Sequence, residues 1–288
     1  MKIVIVGHGF VGKAVDYGFS TKDVEKIIVD PIYENTSKPN HFASVKDIKH
    51  IKDINVIFVC VPTPMNDDGT INPSIVLNTI REIVQCELPG IVIVKSTITP
   101  NIAEDITQNN PRIVYNPEFL TEKTANEDFV NPSMHVFGGI NVTTEIVQKM
   151  YENHSLCKPC PIFHMSAKEA SFVKYGINTF LASKVLWFNQ FYDIINNNDA
   201  AFHKIIGAMT TDERIGKSHT NVPGFDNKRG FGGACFPKDT NAFLNFDPSF
   251  TILGEVISVN NSIRAGYKKD EREKEQNINF ENNYKGEF

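Results

Sequence analysis

Long hydrophobic runs are missing from this chain. No apolar stretch approaches the ~20 residues that span a bilayer, so no membrane segment or membrane partner is expected. Lys2 does precede an apolar tract, but Gly7-His8-Gly9 interrupts it, which argues against a secretion signal. Cysteine is sparse and odd in number, five in 288 residues. That excludes a disulfide-stapled scaffold and points to reduced thiols in a cytoplasmic compartment. A strong excess of either charge is also absent. Twenty-nine basic against thirty-four acidic side chains leave −5, with no global attraction to nucleic acid or anionic lipid, although a local basic patch stays open. Hydrophobic residues at 41% and charged ones at 22% exclude a wholly disordered chain. The length is about twice that of an ordinary domain, which predicts one large or two medium domains.

What is present alternates. Ile3 to Val6 is a short β-branched run that reads as a strand buried on both faces. Similar runs recur at Lys26 to Asp30, Asn55 to Val61, Ile91 to Lys95, Arg112 to Tyr115 and Met134 to Phe137. Helix-length segments separate them, which predicts an α/β fold with a doubly wound, Rossmann-like parallel sheet over residues 1–165. From Ser166 to Asn196 the texture changes to one long helix, with Ser166 and Glu169 as a capping box and the asparagines after it as a stop. Its apolar residues lie all round, so a homodimer partner or a second domain is expected to cover it. Helices at Ala200 to Met209 and Ile252 to Ile263 complete a small helical domain, 166–265. Residues 266–288 are charged and Asn-rich, and read as a polar tail that is mobile or weakly docked.

Gly7-His8-Gly9-Phe10-Val11-Gly12 follows the first strand directly, and Asp30 ends the second strand eighteen residues after Gly12. This is a dinucleotide fingerprint. Its glycines permit a tight turn, close approach of a pyrophosphate and close packing of the helix. Asp30 would accept hydrogen bonds from a ribose diol and repel a 2′-phosphate, which favours NAD over NADP. Val61-Pro62-Thr63-Pro64 and Lys95-Ser96-Thr97 close the next two long strands, where ligands bind in open parallel sheets. Thr63, Ser96 and Thr97 therefore face a ligand or are ordinary turn residues.

Lys174 and Asn178 are four apart on the long helix and share a face. They can present a cation and an amide to an oxyanion, or simply face solvent. The most specific run is Gly230-Phe231-Gly232-Gly233-Ala234-Cys235-Phe236-Pro237-Lys238-Asp239. Pro237 suits the first turn of a helix, which puts Cys235 at its N-terminus, where a thiolate is favoured, and Asp239 one turn along. A buried structural cysteine after a glycine-rich turn is the other reading. His154, Cys157, Cys160 and His164 have spacings compatible with zinc or a redox pair, but Lys158-Pro159 makes an ordinary turn there and no metal is expected. Lys217, Lys228 and Arg229 flank the glycine-rich loop, either to attract a pyrophosphate or as solvated charges.

In this order the motifs, with Asn116-Pro117-Glu118-Phe119-Leu120 and Lys174-Tyr175, resemble the UDP-glucose/GDP-mannose dehydrogenase family over roughly residues 1 to 265. The resemblance implies NAD-dependent, four-electron oxidation of a nucleotide sugar's C6 alcohol to a carboxylate. Cys235 would carry a thiohemiacetal and then a thioester. Lys174 and Asn178 would stabilise oxyanions, Asp239 and Thr97 would hold or activate water, and Glu118 would act as base in hydrolysis. Gly7, Gly9, Phe10, Val11, Gly12, Asp30, Val61, Pro62, Thr63, Ser96 and Thr97 would bind NAD. Glu118, Phe119, Leu120, Glu122, Lys174, Asn178, Phe231, Gly232 and Gly233 would meet the substrate. The Cys-Phe-Pro-Lys-Asp ending favours UDP-glucose, with GDP-mannose behind it.

Two departures stand out. Family members usually continue into a third, nucleotide-sugar-binding domain of about 100 residues or more, whereas 288 − 263 = 25 residues follow Ile263. A short natural form, a fragment, and a partner chain that completes the site all remain open, as does a non-catalytic NAD-binding partner. Pro132-Ser133-Met134-His135 stands where the family usually has Pro-Asp-Arg.

Overall fold

A computed structural model of the chain describes residues 1–280. Two compact units divide it, residues 1–63 with 72–174, and residues 64–71 with the chain from 175 onward.

The first unit is built on eight strands among the described residues: β1 Lys2–Val6, β2 Glu25–Val29, β3 His41–Phe42, β4 Val56–Val59, β5 Ile91–Val94, β6 Ile113–Tyr115, β7 His135–Gly138 and β8 Ile162–Met165. Their order is β3-β2-β1-β4-β5-β6-β7-β8. Among the described strands every pairing is parallel except β6 with β7, which meet antiparallel at Tyr115 and Gly138. Helices α1 Phe10–Gly18, α2 Ser74–Gln85, α3 Pro100–Gln108, α4 Ala125–Val130 and α5 Asn141–His154 cover the sheet.

The period-two alternation of strand side chains divides the core into two layers. Val4, Val6, Ile57, Val59, Val92 and Val94 pack with Val76 and Ile80 of α2 and Ala103 of α3. Ile3, Ile5, Phe58, Ile93 and Val114 point the other way, against Val15 of α1, Phe129 of α4 and Tyr151 of α5. Burial on both faces is why these strands read as unbroken apolar runs; each such side chain contributes roughly 1.5–3 kcal/mol. Strands β3 and β8 escape that reading. One has two residues, and the other carries His164 and a half-exposed Phe163 at the sheet edge.

Helix α6, Ala167–Asn197, runs from the first unit into the second. Its N-terminus is the expected capping box: the Glu169 carboxylate accepts from the Ser166 amide at 2.8 Å, and the Ser166 hydroxyl accepts from the Glu169 amide at 3.2 Å. Phe180, Trp187 and Ile194, seven residues apart, are 68%, 51% and 58% exposed along one side of it. The second unit continues with α7 Phe202–Met209, α8 Phe236–Phe246, α9 Thr251–Arg264 and α10 Glu271–Glu275. Its core joins Ile71, Tyr175, Phe243, Leu244, Leu253 and Ile257, with the Tyr175 and Phe243 rings stacked at 5.1 Å.

The expectation of a mobile or weakly docked tail after residue 265 is corrected over the residues described. Helix α10 carries its own capping box, in which Asp270 and Glu273 cap each other. Glu273, Ile278 and Phe280 are buried. The Met65 amide donates to the Gln276 carbonyl at 3.0 Å, and the Asn277 amide group donates to the Met65 carbonyl at 3.0 Å. The polar composition misled because the charge inside is paired: Glu273 accepts from Arg264, whose guanidinium lies 5.4 Å from the Phe280 ring centre. Residues 281–288 of the expected tail lie outside the described residues.

One histidine makes the first unit's stability pH-dependent. The His135 ring stacks on Phe137 and lies 4.7 Å from the Tyr151 ring. Burial, reinforced by the charge of Lys95, lowers its pKa from the ordinary 6.5 to about 4. Between those values the unfolded chain binds a proton that the folded chain does not, so stability falls as pH drops from 6.5 towards 4. His135→Phe removes this term. In urea unfolding from pH 7 to pH 4, the variant should gain stability relative to the unsubstituted chain as pH falls, and a pH-independent difference would contradict the assignment.

Candidate active site

At the end of β1 the chain turns through Gly7, whose φ is +89°. A Cβ there would lie 2.6 Å from the Cys60 carbonyl oxygen, and one on Gly12 would lie 1.9 Å from the Gly7 carbonyl oxygen. Both must be glycine. Gly9 differs, because a Cβ there would meet nothing within 4 Å. That open approach to the backbone ahead of α1 is what a dinucleotide pyrophosphate needs, at a helix N-terminus that favours anions. The neighbours of β1 are β2 and β4, so the chain winds away in both directions from this point, the crevice where such sheets bind ligands. The residues therefore fit NAD.

Asp30 has a second task. Its Oδ2 accepts from the His8 amide at 2.6 Å and its Oδ1 from the Ile32 amide at 3.0 Å, so it also fixes the glycine turn to the end of β2. Phe10 and Val11 begin α1 and are half-buried. Beyond β4, Val61 is half-buried, Pro62 exposed and Thr63 buried. The Ser96 hydroxyl donates to the Val61 carbonyl at 2.7 Å, tying the ends of β4 and β5, and Thr97 beside it is buried.

Glu118 and Lys174, 56 positions apart, form a buried ion pair. The Lys174 ammonium donates to Glu118 Oε1 at 2.9 Å and to its carbonyl at 2.7 Å, while Glu118 Oε2 accepts from the Leu120 amide. The Phe119 ring centre lies 5.7 Å from the ammonium. Glu122 stands exposed on a single 3-10 turn.

A network absent from the expected site residues lies close by. Lys95 is buried and donates to Asn116 Oδ1 at 3.0 Å; the same oxygen accepts from the Tyr151 hydroxyl at 2.8 Å. Burial lowers the Lys95 pKa from 10.5 to about 8. A cavity of about 280 Å³ opens over Lys95, Asn116, Glu118, Met134, His135 and Tyr151. Lys95 and Asn116 belong to motifs visible in the sequence, but Tyr151 on α5 carries no signal there.

In the second unit Cys235 is the N-cap of α8, with Pro237 in the first turn as expected, and the Asp239 amide donates to the Cys235 carbonyl at 2.8 Å. The Asn178 side-chain amide donates to Asp239 Oδ2 at 2.6 Å, and the Lys238 ammonium donates to Asp239 Oδ1. All three are buried, and Asp239 is 1% exposed. Thus Asn178 and Asp239, singled out separately, are direct partners.

The loop before Cys235 turns at Gly230 and Gly233, with φ of +71° and +77°. Asn189 accepts from the Gly230 amide, and Asn260 both accepts from and donates to the backbone of buried Phe231. These two asparagines lie inside helices and no sequence pattern marked them. Arg229 pairs with Asp193 at 2.7 Å, and Lys228 donates to the Lys268 carbonyl, so both have structural partners; Lys217 is exposed.

Three of the four residues with metal-like spacing have separate partners. His154 meets Asp23, His164 meets Thr144 and Gln148, and the Cys157 thiol donates to the Phe129 carbonyl. Among the described residues no group of three or more His, Cys, Asp or Glu is arranged to hold a metal ion, and no helix is long and apolar enough to cross a membrane.

Comparison with known proteins agrees with this geometry. Residues 31–155 match the NAD-binding domain of the UDP-glucose/GDP-mannose dehydrogenase family, and residues 168–262 match its central domain. The chain is 32% identical to UDP-glucose 6-dehydrogenase of Campylobacter jejuni, covering 93% of this chain and 73% of that protein. It is 27% identical to UDP-glucose 6-dehydrogenase YwqF of Bacillus subtilis, covering 92% and 67%. A UDP-glucose dehydrogenase structure from Pyrobaculum islandicum superposes with a TM-score of 0.75 at 25% identity, over 91% of this chain and 68% of that one. With its NAD-binding sheet, long helix and helical unit in family order, the chain belongs to the UDP-glucose/GDP-mannose dehydrogenase family of NAD-dependent oxidoreductases.

Proposed function

We propose that the chain oxidises UDP-glucose to UDP-glucuronate in two NAD-dependent steps, with Cys235 as the nucleophile. The observation that carries this reading is the buried Asn178–Asp239–Lys238 cluster, whose carboxylate sits one helical turn from the Cys235 N-cap. The names of the relatives in Campylobacter and Bacillus support the choice of sugar nucleotide. NAD, when bound, accepts a hydride in each oxidation.

The chain's own groups supply the rest. Gly7, Gly9 and Gly12 admit the cofactor's pyrophosphate, and Asp30 favours an unphosphorylated ribose. After the C6 alcohol becomes an aldehyde, the Cys235 sulfur forms a C–S bond to it and the carbonyl oxygen takes a proton, giving a thiohemiacetal. Loss of the second hydride and the hydroxyl proton gives a thioester, and water then breaks the C–S bond to release carboxylate and thiol. The balance is one alcohol, two NAD and one water in, and one carboxylate, two NADH and three protons out. The Lys174 ammonium and Asn178 amide stabilise the oxyanions; Asp239 and Thr97 hold water, and Glu118 is the base for hydrolysis. Phe119, Leu120, Glu122 and the Phe231 to Gly233 loop line the sugar nucleotide. A glucuronate product would serve cell-surface polysaccharide synthesis. The proposed domains are 1–165, 166–265 and the segment after 265.

We further propose a homodimer through α6, because the exposed Phe180, Trp187 and Ile194 share one side of that helix.

The purified chain mixed with UDP-glucose and NAD should release two NADH per sugar consumed, and Cys235→Ala should abolish that stoichiometry. Turnover with GDP-mannose alone would move the substrate assignment, and no turnover with any sugar nucleotide would favour a non-catalytic NAD-binding role. Asn178→Ala should lower kcat by roughly 10²–10³ with KM within a few-fold, as removal of an oxyanion donor does. Sedimentation at micromolar concentration should give a dimer, and Trp187→Asp a monomer; a monomeric unsubstituted chain would refute the dimer.

A further inference from the structure

The glycine loop that delivers Cys235 is held on one side by Asn189 and Asn260, both within the family's central-domain match. Its other side rests on a residue beyond that match. Glu273 is fully buried on α10, and its Oε1 accepts from the Gly233 amide at 3.0 Å and from the Arg264 guanidinium at 2.7 Å. Its Oε2 accepts from the Asp270 amide at 2.9 Å. The carboxylate is therefore satisfied by three donors, one of them the backbone two residues before the thiol. The fit is close: a Cβ on Gly232 would lie 1.8 Å from an Arg264 nitrogen and 2.5 Å from Glu273 Oε1. Arg264 in turn donates to Asp226 at 2.7 Å and to the Arg229 carbonyl at 3.3 Å, so one ion pair grips the loop at Arg229, Gly232 and Gly233.

We propose that Glu273 is a positioning residue for Cys235, fixing the Gly230 to Gly233 loop through the Gly233 amide and Arg264. The segment after residue 264 is thereby part of the thiol's support. This inference rests on the reading of Cys235 as the nucleophile. A loosened loop would leave the first oxidation, which needs no thiol, less affected than the second. Glu273 variants should consequently release aldehyde that the unsubstituted chain retains.

The test uses the full chain with Glu273→Gln, and with Arg264→Met plus Glu273→Leu, a pair that removes both charges at similar volume. The rate of iodoacetamide alkylation is followed at each cysteine by peptide mass spectrometry, without substrate. Cys235 alone should change its rate, by about tenfold, as expected for loss of a charge-assisted hydrogen bond. During turnover, aldehyde trapped by hydroxylamine should rise relative to NADH. A merely structural role would loosen the whole second unit, speeding amide hydrogen exchange along α7 and α9 as well as in the Gly230 to Gly233 loop, and would lower both oxidations alike. That pattern, or an unchanged Cys235 rate, overturns the proposal. Should the unsubstituted chain make no NADH, the function reading fails, while the alkylation rates still decide the role of Glu273.

Discussion

A carboxylate removed from water needs donors to replace it, and Asp239 has two, the Asn178 amide and the Lys238 ammonium. Because Asn178 lies on α6 and Asp239 on α8, their bond also fixes the register between these helices within the second unit. Cys235 begins α8, so the thiol inherits that position. Removing the charged partner, Lys238, would break a buried ion pair, which typically costs about 3–5 kcal/mol. The geometry of the N-cap is therefore tied to the stability of the unit that carries it.

The same device appears twice more. Glu118 and Lys174 pair inside the first unit, and Glu273 and Arg264 pair inside the second. Each joins residues that are distant in sequence or belong to different elements, and each carboxylate also accepts from a backbone amide, of Leu120 and Gly233 respectively. An apolar contact of similar size would fill the space without fixing the direction of a backbone N–H. Ion pairs that also bond the main chain hold loops, and here they hold the loops after β6 and before α8.

The sheet was legible because burial on both faces leaves a mark in the chain: continuous apolar runs ending in glycine or hydroxyl residues. Gly7, Gly12 and Pro237 were legible because each meets a steric requirement that few other residues satisfy. The capping box of α6 was legible because both of its members lie within one turn. Asn189, Asn260 and Tyr151 were not, since a single polar residue within a helix reads the same whether it faces water or a loop. Glu273 was concealed by its neighbours, a run of charges typical of a solvated tail; its pairing with Arg264 and with the Gly233 and Asp270 amides makes burial tolerable. The antiparallel contact of β6 with β7 was invisible as well, because it rests on one pair of residues and leaves no periodicity.

The proposed chemistry requires Cys235 to become covalently bound to the oxidised sugar. Its most direct test is acid quench followed by peptide mass spectrometry on Glu118→Gln, in which thioester hydrolysis should be slowed, after mixing with UDP-glucose and NAD. A glucuronyl adduct is expected on the peptide containing Cys235, absent without NAD and absent when Cys235→Ala is added to the variant. NADH formation with no adduct at that cysteine would contradict it.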